Sequence, residues 1–297
     1  MEINDILVIL TALSIGACCS LLGCFLILRK AVMIGDAISH SVLPGIVLAF
    51  IFTEERASVP ILIGAAIFGV ISTIVIDFLQ NKSKLQAGAA IGISFTFFFA
   101  VGVIMIAYFT GGNADIDQDC VLFGEIASTY LDKIFIGEYL IGTRALLTIL
   151  PVLLCVILFV SLGRKGLSIT SFNADYAKAV GINVSFWNYL LMFLVAISSV
   201  LSFESVGAVL VVGFLVIPPA TAYLITHRLK NMLWLSVLFS SLACVLGYYF
   251  ALMLDVTVSG AIVSVGGTSL LLVWMLKSVV KGRKKIIFLD HSVQERK

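Results

Sequence analysis

"VGAVLVVGFLVIPPATAYLIT", residues 206–226, runs from Val206 to Thr226 without one charged side chain. At a rise of about 1.5 Å per residue, a helix of this length covers a hydrocarbon core of about 30 Å. Only 12% of the 297 residues are charged and 61% are hydrophobic, against roughly 25% charged in a soluble domain. Further apolar stretches recur at about 6–28, 34–52, 58–79, 87–110, 144–162, 186–203, 231–254 and 256–277. The sequence therefore predicts an all-α polytopic membrane protein with about nine transmembrane helices.

The connections between the spans assign an orientation. One set holds Arg29, Lys30, Lys82, Lys84, Arg164, Lys165, Lys178, Arg228, Lys230 and the tail from Lys277, which together make 16 of the 19 Lys and Arg residues. The other set holds Arg56, Lys133 and Arg144. By the positive-inside rule the first set is cytoplasmic, so the N-terminus lies outside and the C-terminus inside. Glu2 and Asp5, not Lys or Arg, precede the first run, which reads as a retained span and not as a signal peptide. The net charge of +2 points to no nucleic-acid partner.

The outer connections are acidic, with Glu54, Glu55, Asp115, Asp117, Asp119, Glu125, Asp132 and Glu138, and read as a solvated negative surface. "DIDQD" (115–119) fails as a calcium loop, because its sixth position is Cys120 and its twelfth Ile126. Cys18, Cys19, Cys24, Cys155 and Cys244 fall inside apolar spans and read as packing residues; Cys120 stands alone in a polar loop.

Within the second span, "GDAISHSVLPG" (35–45) concentrates polar groups. Asp36 and His40 are i and i+4, so a helix puts them on one face about 5–6 Å apart, with Ser39 close to the same stripe. Carboxylate plus imidazole is a mixed O/N set that suits Mn2+, Fe2+ or Zn2+. A central Asp costs about 2.5–3.5 kcal/mol on insertion scales, so such groups usually face a path or a partner. Pro44 lacks the N–H that would bond the His40 carbonyl, which is therefore expected to be released toward a cavity. The alternative makes Asp36, which follows Gly35, an N-cap, with His40 a packing histidine. These residues alone leave both readings open.

Pro218 and Pro219 free the carbonyls of Phe214 and Leu215, which predicts a broken helix or hinge along a path; a packing kink is the alternative. Ser39, Pro44, Phe214, Leu215, Pro218 and Pro219 are thus the candidate path or gate residues. Between the fifth and sixth spans lies "SFNADYAKAVGINVSF" (171–186). There Asn173 caps a short helix ending at Gly181, with Ala177, Ala179 and Val180 forming an apolar patch suited to a groove on a partner. No G-x-x-x-x-G-K-[ST] phosphate loop occurs, so ATP-driven work would need another chain. Neither a nucleophile with a base nor H-E-x-x-H appears, and no enzyme activity is expected.

Four stretches follow one another in an order that carries a resemblance: "RKAVMIGDAISHSVLPGIVLAF" (29–50), "LFGEI" (122–126), "FNADYAKAVGI" (172–182) and "VGAVLVVGFLVIPPATA" (206–222). Together they resemble the permease subunits of bacterial ABC importers for manganese, zinc and iron, over nearly the whole chain. The resemblance implies a type II importer permease over 1–280, with an acidic external loop at 111–143, a cytoplasmic coupling region at 171–184 and a basic cytoplasmic tail at 281–297. It implies a path between two permease subunits, identical or different, with two separate ATP-binding subunits and an extracytoplasmic metal-binding protein. Asp36 and His40 match the family's acidic and histidine positions and are thereby implied to meet the metal. Asp175, Ala177 and Gly181 fall in the coupling segment. No cofactor is held permanently; the divalent ion is cargo, with Mn2+ favoured by the oxygen-rich set and Zn2+ or Fe2+ as alternatives. The implied location is the bacterial plasma (inner) membrane. Glu204 in "SFES" (202–205) matches no family position. The other reading is a proton-coupled secondary carrier with Asp36 and His40 as a relay, and the coupling segment separates the two.

Overall fold

The computed structural model describes residues 3–53, 58–81, 83, 85–109, 126, 129, 133–136, 139–226 and 228–294. In chain order the helices are α1 (Ile3–Leu28), α2 (Val32–Ser41), α3 (Leu43–Thr53), α4 (Ser58–Asn81) and α5 (Ala87–Phe109). A hairpin follows, β1 (Lys133–Ile136) and β2 (Tyr139–Thr143), then α6 (Arg144–Leu162), α7 (Arg164–Phe172) and α8 (Ala174–Ala179). The chain continues as α9 (Val184–Val206), α10 (Ala208–Ile225), α11 (Leu229–Leu254) and α12 (Val258–Gln294). Among the described residues eight helices, α1, α4, α5, α6, α9, α10, α11 and α12, are long and apolar enough to cross a membrane.

Small residues on α1 place it at the centre. Of its most apolar window, 72% is buried, against 22–44% in the other seven. Ile15, Cys18, Cys19, Leu22, Phe25 and Leu26 are fully enclosed by α6, α9, α10 and α11. A Cβ added at Gly23 would lie 2.1 Å from the Leu215 carbonyl oxygen, so α1 and α10 touch backbone to backbone there. Weak polar bonds tie α1 to two other neighbours: Cys18 Sγ donates to Ser198 Oγ of α9 (3.4 Å), and Ser236 Oγ of α11 donates to the Ser20 carbonyl (3.2 Å). Such small, polar contacts hold helices together in a solvent that supplies no hydrophobic drive between them. Cys24 and Cys244 are likewise buried, while Cys155 is exposed on the outer surface of α6. The remaining apolar side chains of the outer helices, such as Phe97, Leu154 and Leu246, face outward.

Gly23→Ala is expected to force α1 and α10 apart, at about 1–3 kcal/mol for an overpacked interior. Thermal melting in detergent checks it. Gly92→Ala, whose Cβ would meet no atom within 4 Å, is the control that should melt at or above the parent.

Two features depart from the sequence expectations. The span expected at 34–52 is two helices, α2 and α3, meeting at Val42. Val42 keeps right-handed dihedrals (φ −79°, ψ −12°) and its N–H still reaches Ile38 O at 3.2 Å, so the interruption is local. Pro44 falls in the first turn of α3, where a missing N–H costs least. The break expected at Pro218 and Pro219 is absent, and α10 runs through both. The carbonyl that Pro219 frees, that of Leu215, is covered by the bare Gly23 backbone. α12 itself continues as helix to Gln294, through a segment with no proline.

The hairpin adds two short strands to the all-helical expectation. They pair antiparallel with Lys133 opposite Thr143 and an irregularity between Ile134 and Phe135. Thr143 ends the hairpin and caps α6, accepting the Leu146 N–H at 3.2 Å. Its hydroxyl also meets Thr11 Oγ1 of α1 at 3.3 Å, which fastens the hairpin to the bundle. The remaining acidic stretch, with Asp115, Asp117, Asp119, Cys120, Glu125, Asp132 and Glu138, lies outside the described residues, as do Glu54, Glu55, Arg56, Lys82 and Lys84.

Helix ends that carry the basic connections come together at one end of the bundle. Arg29 after α1 bonds to α7 and α9, Tyr189 of α9 donates to Asp77 Oδ2 near the end of α4 (3.2 Å), and Lys277 of α12 bonds the Leu224 carbonyl of α10. At the opposite end Tyr248 donates to Asp5 Oδ1 (2.6 Å) and Ser259 to the Val206 carbonyl (3.1 Å).

Candidate functional site

The helix that bears Asp36 and His40 begins at a tight corner. α1 stops in a Schellman motif: Ala31 N donates to Leu26 O (2.8 Å), and Lys30 N to Ile27 O (3.0 Å). Lys30 takes the left-handed position, φ 55°, that glycine usually fills. Ala31 is the N-cap of α2, without a side-chain bond. Asp36 is therefore in the second turn of α2, four residues past its start. That position removes the N-cap alternative, because only the residue flanking the first turn can cap it.

Four residues on, His40 shares the face of Asp36. Its ring stands edge-on to two aromatic rings of α5, Phe95 (5.2 Å, 69°) and Phe99 (6.1 Å, 86°), which are themselves stacked at 5.9 Å. Nδ1 is shielded from solvent, while the residue as a whole is half-buried. Two faces of apolar carbon thus fix the imidazole plane. The His40 carbonyl, expected to be released by Pro44, instead receives the Val42 N–H that is shared with Ile38 O. Side chains of Asp36, Ser39 and Glu204 lie outside the described structure; their backbones are helical. Among the described residues no three His, Cys, Asp or Glu side chains gather.

α2 packs closely through a glycine of its own, Gly35, and a glycine of α4, Gly69. A Cβ at Gly35 would be 3.3 Å from Leu26, 3.6 Å from Leu215 and 3.9 Å from Val195, on α1, α10 and α9. Ile38 and Val42 lie against Gly69 of α4. The structure therefore brings Leu215 beside the residue preceding Asp36. It places Phe214, Pro218 and Pro219 in the core of the bundle, with Phe214 against Gly16 of α1 and Pro219 against Gly23. Pro44 is buried at the α2–α3 junction.

The short helix expected between Asn173 and Gly181 is α8. Asn173 Oδ1 accepts the Tyr176 N–H at 2.9 Å. A second Schellman motif closes the helix, with Ile182 N to Ala177 O (2.9 Å) and Gly181 N to Lys178 O (3.0 Å). Gly181 has φ 81° and open space around its Cβ position, so backbone conformation rather than crowding selects glycine there. One expectation needs correcting: Ala177 is fully buried against the body of the protein, not presented to a partner. The face of α8 that is exposed carries Tyr176 (58%) and Val180 (56%), together with Asp175, Lys178 and Ala179. Asp175 and Lys178 approach to 3.8 Å in full solvent, a pair of little energetic weight.

Sequence reasoning missed Phe95 and Phe99, whose i, i+4 spacing in "FTFFFA" (95–100) marks one helix face, and Arg29, which it used only as a topology charge.

Residues 5–278 match the ABC 3 transport family. The chain belongs to that family. It is 40% identical over 260 residues to the manganese transport system membrane protein MntD of Bacillus subtilis (strain 168), with 88% of each chain covered. The zinc transport system membrane protein TroD of Treponema pallidum (strain Nichols) is 36% identical over 268 residues, which cover 90% of this chain and 72% of TroD. Among solved structures, PsaBC from Streptococcus pneumoniae in complex with Fab superposes with a TM-score of 0.75 at 33% identity, covering 92% of both chains. This ABC 3 permease is a transport subunit and not an enzyme, and a multi-pass protein of the bacterial plasma (inner) membrane. Its relatives include permeases named for manganese and for zinc.

Proposed function

We propose that this ABC 3 permease is the membrane-spanning subunit of an ATP-driven importer that moves a divalent transition-metal ion into the cytoplasm, manganese before zinc or iron. The observation that carries the reading is His40, held edge-on between α2 and α5, on the same face of an interior helical turn as Asp36. A carboxylate and a neutral imidazole suit a borderline divalent ion. The relatives named for manganese and zinc support the same class of cargo.

Two ligands make a weak site, and a conducting site must release its ion. Affinity and selection then belong to an extracytoplasmic metal-binding protein that delivers the ion. The path lies between this chain and a second permease, the same or different. Two ATP-binding subunits work from the basic end, which is cytoplasmic by the positive-inside rule, and they act on α8. The rigid placement of His40 means that the ion meets a preset imidazole and the ligands need little reorganisation.

Elemental mass spectrometry of the source cells tests the reading, with the gene intact, deleted and restored, other importers removed and metal supply limiting. Deletion is expected to lower manganese several-fold and leave zinc and iron near parental levels. A fall in zinc or iron alone would transfer the preference to that ion. No change in any metal would overturn the proposed function.

A further inference from the structure

Arg29 occupies the corner between the central helix α1 and the site-bearing helix α2, and each of its three guanidinium nitrogens donates a hydrogen bond. Nε donates to Ser171 Oγ (3.0 Å), Nη1 to Asn188 Oδ1 (2.9 Å) and Nη2 to Thr170 Oγ1 (3.0 Å). Thr170 and Ser171 are in the last turn of α7, directly before the Asn173 cap of α8. Asn188 is in the second turn of α9, soon after α8 ends. One side chain therefore grips the chain on both sides of the short exposed helix. All three of these partners are neutral side chains, and among the described residues no ion pair to Arg29 is found. Burial lowers the Arg29 pKa to about 10, still high enough to keep the charge at neutral pH. A cation kept at this cost, with its planar fork filled by three separate acceptors, is not a generic surface charge.

The corner itself is stiff. The Schellman bonds fix Lys30 and Ala31, and Ile34 N donates to Ala31 O (3.0 Å), so α2 starts without slack. Asp36 follows Arg29 by about two turns of chain. On its other side, α7 is less well supported. A cavity of about 340 Å3 separates Ser171 and Phe172 from Tyr223, Leu229 and Met232 of α10 and α11. The Arg29 bonds thus tie the α7–α8 junction to α1 and α2 where packing against α10 and α11 does not.

We propose that Arg29 is the positioning residue that transmits movement of α8 to α2, and through it to the Asp36–His40 face. The inference rests on the function proposed above, in which separate ATP-binding subunits move α8. A lysine would keep the charge but lack the fork.

The test uses the full complex, with its ATP-binding subunits and delivery protein, in proteoliposomes. Manganese uptake and ATP hydrolysis are measured in the same vesicles. Arg29→Gln is expected to lower the metal moved per ATP about tenfold, within the usual range of coupling energies, while hydrolysis stays within about twofold and melting near the parent. Arg29→Lys should remain deficient; full rescue by lysine would mean that charge alone serves and would overturn the clasp. The double variant Ser171→Ala with Asn188→Ala, which leaves Arg29 in place, should lower the same ratio about threefold or more. An unchanged ratio in Arg29→Gln, or in the double variant if Arg29→Gln does not assemble, overturns the proposal. A parental complex that moves no metal with ATP would instead refute the proposed function itself.

Discussion

Asp36→Asn is expected to cut metal uptake by at least about a hundredfold while leaving insertion, yield and melting near the parental values. The substitution keeps shape and removes one negative charge. At an effective dielectric constant of about 20, two unit charges 4 Å apart attract by about 4 kcal/mol, and a divalent ion doubles the stake. Each 1.4 kcal/mol is tenfold, so a hundredfold loss is a cautious expectation. The start of the helix does not suffer in parallel, because Ala31 and not Asp36 is the N-cap of α2. Removing a charge from within a span relieves an insertion penalty, so a folding defect would be surprising. Uptake into cells or proteoliposomes at matched expression measures the effect. Normal transport by Asp36→Asn would make the Asp36–His40 pair structural.

The helical spans were legible because lipid imposes long apolar runs, and α6 begins and ends where composition placed it, at 144 and 162. Local chemistry was legible too: Asn173 and Gly181 announce the start and stop of α8, and both motifs form. What sequence could not supply was the other wall of each contact. The double proline looked like a break because nothing in "FLVIPPATA" tells that Gly23, nearly two hundred residues earlier, lies against the Leu215 carbonyl. His40 read as either a ligand or a packing histidine, and the rings it stands against, Phe95 and Phe99, lie on another helix. Arg29 read as one more cytoplasmic positive charge. Its partners Thr170, Ser171 and Asn188 lie 141, 142 and 159 residues away, a pairing that only the packing of α1 against α7 and α9 reveals. Ala177 read as partner-facing because a six-residue helix has too short a pattern to say which side is buried.

The orientation of α8 sets two substitutions against each other. Val180→Asp is expected to weaken association with the ATP-binding subunit by at least tenfold without harming the permease. Val180 is 56% exposed, and a new charge at such a position normally shifts stability by less than about 0.5 kcal/mol. Inside an apolar groove of a partner the same charge would be desolvated without a counter-ion, which removes about 2 kcal/mol or more, the scale of an interface hot spot. Ala177→Asp should behave in the opposite way. Ala177 is fully enclosed, so a carboxylate there must either be buried alone or pry α8 from its seat, and the permease itself should melt lower. Co-purification with the ATP-binding subunit, stimulated ATP hydrolysis and melting of the isolated permease, measured on both variants, separate the two effects. Val180→Asp with full co-purification and full stimulation would mean that the exposed face of α8 does not meet the ATPase. The coupling contact would then have to be sought elsewhere at the basic end, and the transmission from α8 through Arg29 would fall with it.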